Sequence, residues 1–148
     1  MKTSAVIQVF GIPTDHQFTS QDDLVAMFLD SLSPTNTVRN GDIIVITSKV
    51  VAKCEGRVVT EANDRESAIR SQAKRVVATK VHDRGVTTIV ETHSGLILAA
   101  AGVDASNTEP GTIVLLPVDS DHSARGIREQ IEERAGVSVG VIITDTLG

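Results

Sequence analysis

The stretch that decides the fold class is Gly41-Asp42-Ile43-Ile44-Val45-Ile46-Thr47. A Gly–Asp turn opens it, and four consecutive branched aliphatic residues follow. A continuous run of this kind predicts a strand that is buried on both faces. Residues 47–55 come directly after this strand, and their pattern is ambiguous between a tight loop and a helical turn.

Outward towards the amino terminus, the pattern predicts a strand followed by a helix. Residues 5–12 alternate loosely between apolar and polar side chains and end at Pro13, which is typical of a short strand. Ser20 followed by Asp23 resembles a capping box, and apolar residues at helical spacing continue to residue 32. Pro34 is expected to end that helix.

Outward towards the carboxyl terminus, the chain contains more predicted strands than helices. Helices are predicted over 65–80 and from Asp119 to Ala135, with Gly136 as a stop signal. Strands are predicted over 57–59, 86–91, 96–101, 112–116 and 137–143. Because strands and helices do not alternate strictly, the sequence predicts an α+β fold with a mixed β-sheet and about three helices.

Composition excludes several classes of function. At 148 residues the chain is long enough for one domain with a substantial core, and its net charge of −5 argues against general binding to nucleic acid or to membrane surfaces. Three Phe and no Tyr or Trp leave almost no aromatic platform for stacking bases. No apolar run approaches the roughly 20 residues of a membrane-spanning helix. The single cysteine, Cys54, fits a reducing cytoplasm.

Two short acidic loops are the strongest local signal of chemistry. Residues 102–107 contain Asp104, and residues 143–146 contain Asp145, each directly beside an apolar run. Hydroxyl and amide side chains follow within three residues, and such hard oxygen ligands suit Mg²⁺ or Mn²⁺ and the phosphates that these ions carry. The alternative is that the first loop is an Asx-type turn and that the second aspartate caps the segment after it.

The segment 47–57 offers groups that suit phosphate. It follows the most apolar strand, and Ser48 with Lys49 or Lys53 could reach phosphate oxygens as donors. The alternative is a solvated connection with ordinary surface lysines. The chain has neither a Walker loop nor a G-x-G-x-x-G motif, and Cys54 is interpreted as a small core residue rather than a nucleophile.

Four segments together resemble the coenzyme F420:L-glutamate ligase family, also called F420-0 gamma-glutamyl ligases. They occur in the family's order across nearly the whole chain, and the form of the first is similar to that of actinobacterial members, some of which carry a nitroreductase-like domain. The segments are residues 41–57, 95–107, 115–128 and 141–146.

The resemblance implies a cytoplasmic, GTP-dependent amide ligase. Such an enzyme adds L-glutamate by γ-linkage to the deazaflavin coenzyme F420-0 through an acyl phosphate, and releases GDP and phosphate. The resemblance implies Mg²⁺ or Mn²⁺ as cofactor, with K⁺ as an additional cation, and a homodimer as the assembly. It implies no nucleic-acid or membrane partner.

The resemblance also assigns binding residues, but it does not identify catalytic residues. Divalent-metal positions fall on Asp104, Asp145 and Thr146. GTP contacts fall on Ile12, Pro13, Thr14, Asp15, Ser48, Lys53 and Asn107. Family members continue past the position of Gly148, so residues 1–148 are expected to be the amino-terminal portion of a ligase domain. Two alternatives stay open, namely an inactive folding or dimerisation module and an amide ligase for another acidic acceptor.

Overall fold

A computed structural model of the chain describes residues 6–60, 65–83, 85–105 and 110–145. Within these ranges it contains four α-helices, one short 3₁₀ turn and seven strands. In chain order they are α1 (Leu24–Asp30), β1 (Ile43–Thr47), α2 (Ser48–Cys54), β2 (Val58–Val59), α3 (Arg65–Gln72), β3 (Ala73–His82), β4 (Gly85–Thr92), β5 (Ile97–Ala99), the 3₁₀ turn (Ala100–Gly102), β6 (Ile113–Val114), α4 (Ser120–Ala135) and β7 (Gly140–Thr144).

The strands form three small sheets, and the α+β class predicted from sequence is confirmed. Strands β1 and β7 pair in parallel, with Ile43 opposite Gly140 and Thr47 opposite Thr144. Strands β2 and β6 form an antiparallel pair, and β3, β4 and β5 form an antiparallel meander. Parallel and antiparallel pairings are both present, but among the described residues they lie in separate sheets rather than in one mixed sheet.

Two hydrophobic clusters pack the helices against the strands. The first lies between the β1–β7 pair and helices α1, α2 and α4, and its most buried member, Ile131, has no exposed surface. The second lies between α3, the 3₁₀ turn and the meander, around the fully buried Val90. Both side chains are branched aliphatics, and their full burial is worth about 1.5–3 kcal/mol each relative to exposure.

Strand β1 was expected to be buried on both faces, and this prediction is wrong for the described chain. Ile44 and Ile46 pack on the first cluster, whereas Ile43 and Val45 are 62% and 61% exposed. The opposite face of this two-stranded sheet is not covered by any described residue. A continuous apolar run shows that both faces suit burial, but it does not identify what covers the second face.

The predicted first strand, 5–12, does not form in its described part, residues 6–12. These residues carry no regular structure and are exposed, with Ile7 and Val9 both 88% exposed. A strand is stabilised by the backbone hydrogen bonds of a neighbour, and within the described residues this segment has no strand partner. Loose alternation of apolar and polar residues was therefore insufficient to predict a strand here.

The predicted helix over 65–80 is half right. Helix α3 ends at Gln72, and residues 73–82 form β3. This region is rich in β-branched residues, and it pairs with β4 along its whole length from Ala73–Thr92 to His82–Gly85. Tertiary pairing and β-branched side chains outweighed an approximate helical periodicity.

The helix boundaries follow the capping chemistry closely. At α4, the Asp119 side chain accepts a hydrogen bond from the His122 amide, and Gly136 ends the helix with φ of 67°, as predicted. At α1, the cap is Asp23, which accepts from the Ala26 amide, rather than Ser20. Asp23 also binds Arg134 of α4 at 2.7 Å, which joins the two helices.

The parallel β1–β7 pair determines where the candidate site lies. Because Thr47 is opposite Thr144, the residues that follow both strands leave the sheet at the same edge. Polar groups at the carboxyl ends of adjacent parallel strands commonly form ligand sites. Here those groups are Ser48 and Lys49 at the start of α2 and Asp145 after β7. Among the described helices, none has both the length and the apolarity needed to cross a membrane.

Candidate functional site

A groove of about 970 Å³ brings the two predicted acidic loops together. Both Asp104 and Asp145 line it, although forty residues separate them in sequence. Its walls come from the start of α3, the beginning of β4 and the segment from β5 to Asp104. The other lining residues are Arg65, Glu66, Ile69, Val86, Thr87, Thr88, Ile97, Leu98, Ala99, Ala100, Gly102 and Val103.

The backbone holds Asp104 in a defined position. Its amide donates to the Val114 carbonyl at 3.0 Å, and its carbonyl accepts from the Val114 amide at 2.8 Å. The three residues of the nearby 3₁₀ turn, Ala100, Ala101 and Gly102, all have positive φ, at 51°, 55° and 69°. A positive φ costs an alanine about 1–2 kcal/mol, so packing around the turn must stabilise this conformation.

The Asp104 carboxylate is paired with a lysine. Lys49 Nζ lies 2.6 Å from Asp104 Oδ2, with the two side chains 25% and 39% exposed. Lys49 is the second residue of α2, so the strand-to-helix connection after β1 brings a cation onto the acidic loop. The sequence predicted that Lys49 could donate hydrogen bonds to phosphate oxygens. In the structure its ammonium contacts a carboxylate.

Several predicted site residues do not line the groove. Within the described residues, Ser48 and Lys53 do not line the groove; Ser48 is buried, whereas Lys53 is half-buried. The exposed segment Ile12-Pro13-Thr14-Asp15 does not line it either, and the Thr14 hydroxyl accepts from the His16 amide at 3.1 Å. Asn107 and Thr146 fall outside the described residues. The GTP contacts therefore stay predictions.

The groove's donor set fits a divalent ion that also binds phosphate. Among the described residues, no three side chains of His, Cys, Asp or Glu are placed to hold a metal by themselves. Mg²⁺ is usually bound through one or two protein carboxylates, with water and substrate phosphates completing its coordination. Asp104 and Asp145 match that pattern, and the metal assignment at these residues stays a prediction.

Sequence reasoning missed the cation that α3 supplies to the groove and the hydroxyls that β4 supplies. Arg65 Nη2 donates to the Val103 carbonyl at 3.2 Å, which anchors a guanidinium beside Asp104. Thr87 and Thr88 add hydroxyl groups from β4. The adjacent charges Arg65 and Glu66 at a predicted helix start were the available signal of charged site residues. Nothing in the sequence indicated that they lie near residue 104.

A smaller cavity of about 430 Å³ lies between α1, α2 and α4, and Cys54 lines it. Burial, reinforced by the negative charges of Asp22 and Glu55, raises the pKa of the Cys54 thiol to about 11. At neutral pH this thiol is protonated, which argues against a nucleophile; the side chain is half-buried and belongs to neither hydrophobic cluster, so the predicted core position is not found.

We expect Cys54 to react slowly with disulfide reagents in the folded protein. A pKa shift from 9.0 to about 11 lowers the thiolate fraction about 100-fold. Higher intrinsic nucleophilicity recovers about ten-fold, so the net rate is about ten-fold below that of the unfolded chain, before steric protection is counted. Stopped-flow reaction with DTNB at pH 7.5, with and without urea, measures this ratio. Equal rates would contradict the assignment.

Comparison with known proteins identifies relatives that share one name. The chain is 31% identical to the coenzyme F420:L-glutamate ligase of Methanopyrus kandleri, over 96% of this chain and 60% of that protein. It is 34% identical to the enzyme of the same name from Archaeoglobus fulgidus, over 96% of this chain and 61% of that protein. For the Methanocaldococcus jannaschii enzyme of that name, the identity is 35% over 81% of this chain and 53% of that protein.

The match covers the candidate site. The chain spans about three fifths of the length of the first two relatives. The family model described as F420-0:Gamma-glutamyl ligase matches residues 15–148, a range that includes both groove aspartates. The chain therefore belongs to the F420-0:gamma-glutamyl ligase family.

Proposed function

We propose that this chain contributes the cation-binding part of a GTP-dependent amide ligase that adds L-glutamate to coenzyme F420-0 through an amide bond. The observation that carries the proposal is the shared groove of Asp104 and Asp145 in a member of this family. Relatives are named coenzyme F420:L-glutamate ligases, which supports glutamate and the deazaflavin coenzyme as substrates. The proposed cofactor is Mg²⁺ or Mn²⁺, with K⁺ as an additional cation.

The proposed reaction has two steps. The acceptor carboxylate attacks the γ-phosphorus of GTP, which forms an acyl phosphate and releases GDP. The glutamate amine then attacks the acyl carbon, so that the amide forms and phosphate leaves. A divalent ion would supply neutralisation of phosphate charge, and the residues that would hold it are Asp104, Asp145 and Thr146.

The chain's own groups then act by positioning and electrostatics. The fixed backbone of Asp104 keeps its carboxylate at the groove. Arg65, anchored on the Val103 carbonyl, presents its remaining guanidinium donors to an anion. Residues 12–15, Ser48, Lys53 and Asn107 stay the proposed GTP contacts, although the described ones among them do not line the groove.

We expect Arg65→Lys to weaken anion recognition. A lysine keeps the charge but loses the planar fork that holds a carboxylate or phosphate through two parallel hydrogen bonds. The expected effect is a rise in KM of about ten-fold for one of the anionic substrates, with a smaller change in kcat. Steady-state kinetics with each substrate varied in turn measures it. Arg75→Lys is the matched control, since Arg75 pairs with Glu91 at 2.7 Å and neither residue lines the groove.

The direct test of the function is a mass measurement. The chain, with any segment that continues it in the natural protein, is mixed with GTP, Mn²⁺, L-glutamate and F420-0. We expect the coenzyme to gain the mass of one glutamyl unit, with GDP formed in equal amount. GTP binding without any mass gain would reject the acceptor and favour an amide ligase for another acidic acceptor, which a panel of carboxylic acids would identify.

The exposed apolar face of the β1–β7 pair supports a homodimer as the proposed assembly. Ile43, Val45 and Ile142 on this face are 62%, 61% and 47% exposed. Contiguous apolar patches of this kind mark association surfaces. Light scattering after size exclusion measures the mass of the assembly. A dimer that binds neither GTP nor Mn²⁺ would favour the alternative of a folding or dimerisation module.

A further inference from the structure

The ion pair between Lys49 and Asp104 lies at the carboxylate that is proposed to hold a divalent cation. The Lys49 ammonium is 2.6 Å from Asp104 Oδ2, which is the distance of a direct, charge-assisted hydrogen bond. Both side chains are partly exposed. The backbone of Asp104 is fixed by two hydrogen bonds to Val114, so the lysine is the more adaptable partner.

An ammonium group and a divalent ion compete for this oxygen. Mg²⁺ binds carboxylate oxygens at about 2.0–2.1 Å, which is closer than a lysine hydrogen bond. With both cations on one carboxylate, a double and a single positive charge would be a few ångströms apart and would repel each other strongly. Partly exposed ion pairs contribute modest net stability, so replacing this pair by a bound cation costs little of what the pair itself supplies.

We propose that Lys49 is an exchangeable counter-ion of Asp104. Its ammonium occupies the carboxylate while no divalent cation is bound, and it leaves when such a cation binds. In the metal-free protein the lysine keeps Asp104 oriented and neutralised; in doing so it lowers the affinity for the cation. This inference rests on the proposed function, because it takes Asp104 as a cation ligand.

Removal of the ammonium is therefore expected to tighten cation binding. Mn²⁺ alone is titrated into the chain without nucleotide, and free Mn²⁺ is measured by electron paramagnetic resonance. Lys49→Met keeps the length of the side chain without its charge, and we expect its Kd for Mn²⁺ to fall about three- to ten-fold. Lys74→Met is the matched control, since Lys74 Nζ on β3 pairs with Glu91 Oε1 at 2.9 Å and neither of these two residues lines the groove.

A second measurement on the unaltered protein does not depend on how the variant folds. Lys49 is expected to be acetylated by a limiting amount of an amine-reactive ester several-fold faster when Mn²⁺ is present, because the displaced ammonium loses its carboxylate partner. Peptide mass spectrometry gives the rate at each lysine. Lys74 is expected to show the same rate with and without Mn²⁺.

Asp104→Asn separates this inference from the proposed function. If Asp104→Asn binds Mn²⁺ as tightly as the unaltered chain, the cation is not at Asp104, and the proposed function and the inference are both overturned. If Asp104→Asn loses Mn²⁺ while Lys49→Met binds it equally or more weakly, the proposed function stands and the counter-ion role is overturned. The counter-ion role is supported if Lys49→Met binds Mn²⁺ more tightly while Lys74→Met does not, and if Mn²⁺ speeds the labelling of Lys49 in the unaltered protein.

Discussion

Replacement of either groove aspartate by asparagine is expected to lower the rate of glutamyl addition by about 10²–10³-fold or more. Asparagine has nearly the same shape but no charge, so Asp104→Asn and Asp145→Asn remove the anionic ligands that a divalent ion requires. Loss of a single electrostatic contact to a developing charge commonly costs a rate of this size. Initial rates of GDP release, with glutamate and F420-0 saturating, measure the effect.

The two aspartates are expected to act as one unit. If both hold the same cation, the double variant is scarcely slower than the worse of the two single variants, because the ion is already lost. Asp30→Asn, at the exposed end of α1 and away from the groove, is the matched control and should retain the full rate. Fully additive effects would show that the two carboxylates act independently.

Gly102→Ala is expected to cause a large loss of stability. Gly102 has φ of 69°, and a Cβ atom there would lie 2.5 Å from Leu116 Cδ1 and 2.8 Å from Leu116 Cγ. Backbone strain of about 1–2 kcal/mol and overpacking of about 1–3 kcal/mol together lower the free energy of unfolding by about 3 kcal/mol. Urea unfolding followed by circular dichroism measures this difference.

Gly111→Ala provides the matched control for the backbone contribution. Gly111 has a similar φ of 78°, but no atom lies within 4 Å of a Cβ built there, so only strain of about 1–2 kcal/mol is expected. In a Leu116→Ala background, the penalty of Gly102→Ala should fall to the same value. Equal penalties for Gly102→Ala with and without Leu116 would show that the side-chain contact is unimportant.

The parts of the fold that were predictable from sequence depend on local chemistry. Helix α4 was predicted from its apolar stripe, its Asp119 cap and the Gly136 stop, and all three are present. These signals act within a few residues of one another, so the sequence contains them completely. The ambiguous segment after β1 is a helix, which no single local signal decided.

The parts that were not predictable depend on partners distant in sequence. Residues 73–80 had an acceptable helical pattern, yet pairing with β4 makes them a strand. Strand β1 has the composition of a strand buried on both faces, but one face is exposed in the described chain. Local pattern indicates which surfaces suit burial, whereas the tertiary fold decides which of them are covered.

In the candidate site, too, the local features were predictable from sequence and the long-range contacts were not. The hard oxygen ligands at 104 and 145 were visible as separate loops, but their shared groove depends on the register of β1 with β7 and on the bridge between Asp104 and Val114. The Lys49–Asp104 contact and the position of Arg65 also arise from long-range packing. Residue types therefore predicted the chemistry, and only the fold brings these groups together.

The most direct test of the central claim is a calorimetric titration of GTP into the chain with Mg²⁺ present. We expect measurable GTP binding that weakens by about a hundred-fold or more in Kd when Mg²⁺ is omitted or when Asp104 and Asp145 are both changed to asparagine. The same GTP affinity in the unaltered chain and in the double variant would contradict it, because the groove aspartates would then hold no cation that the nucleotide uses.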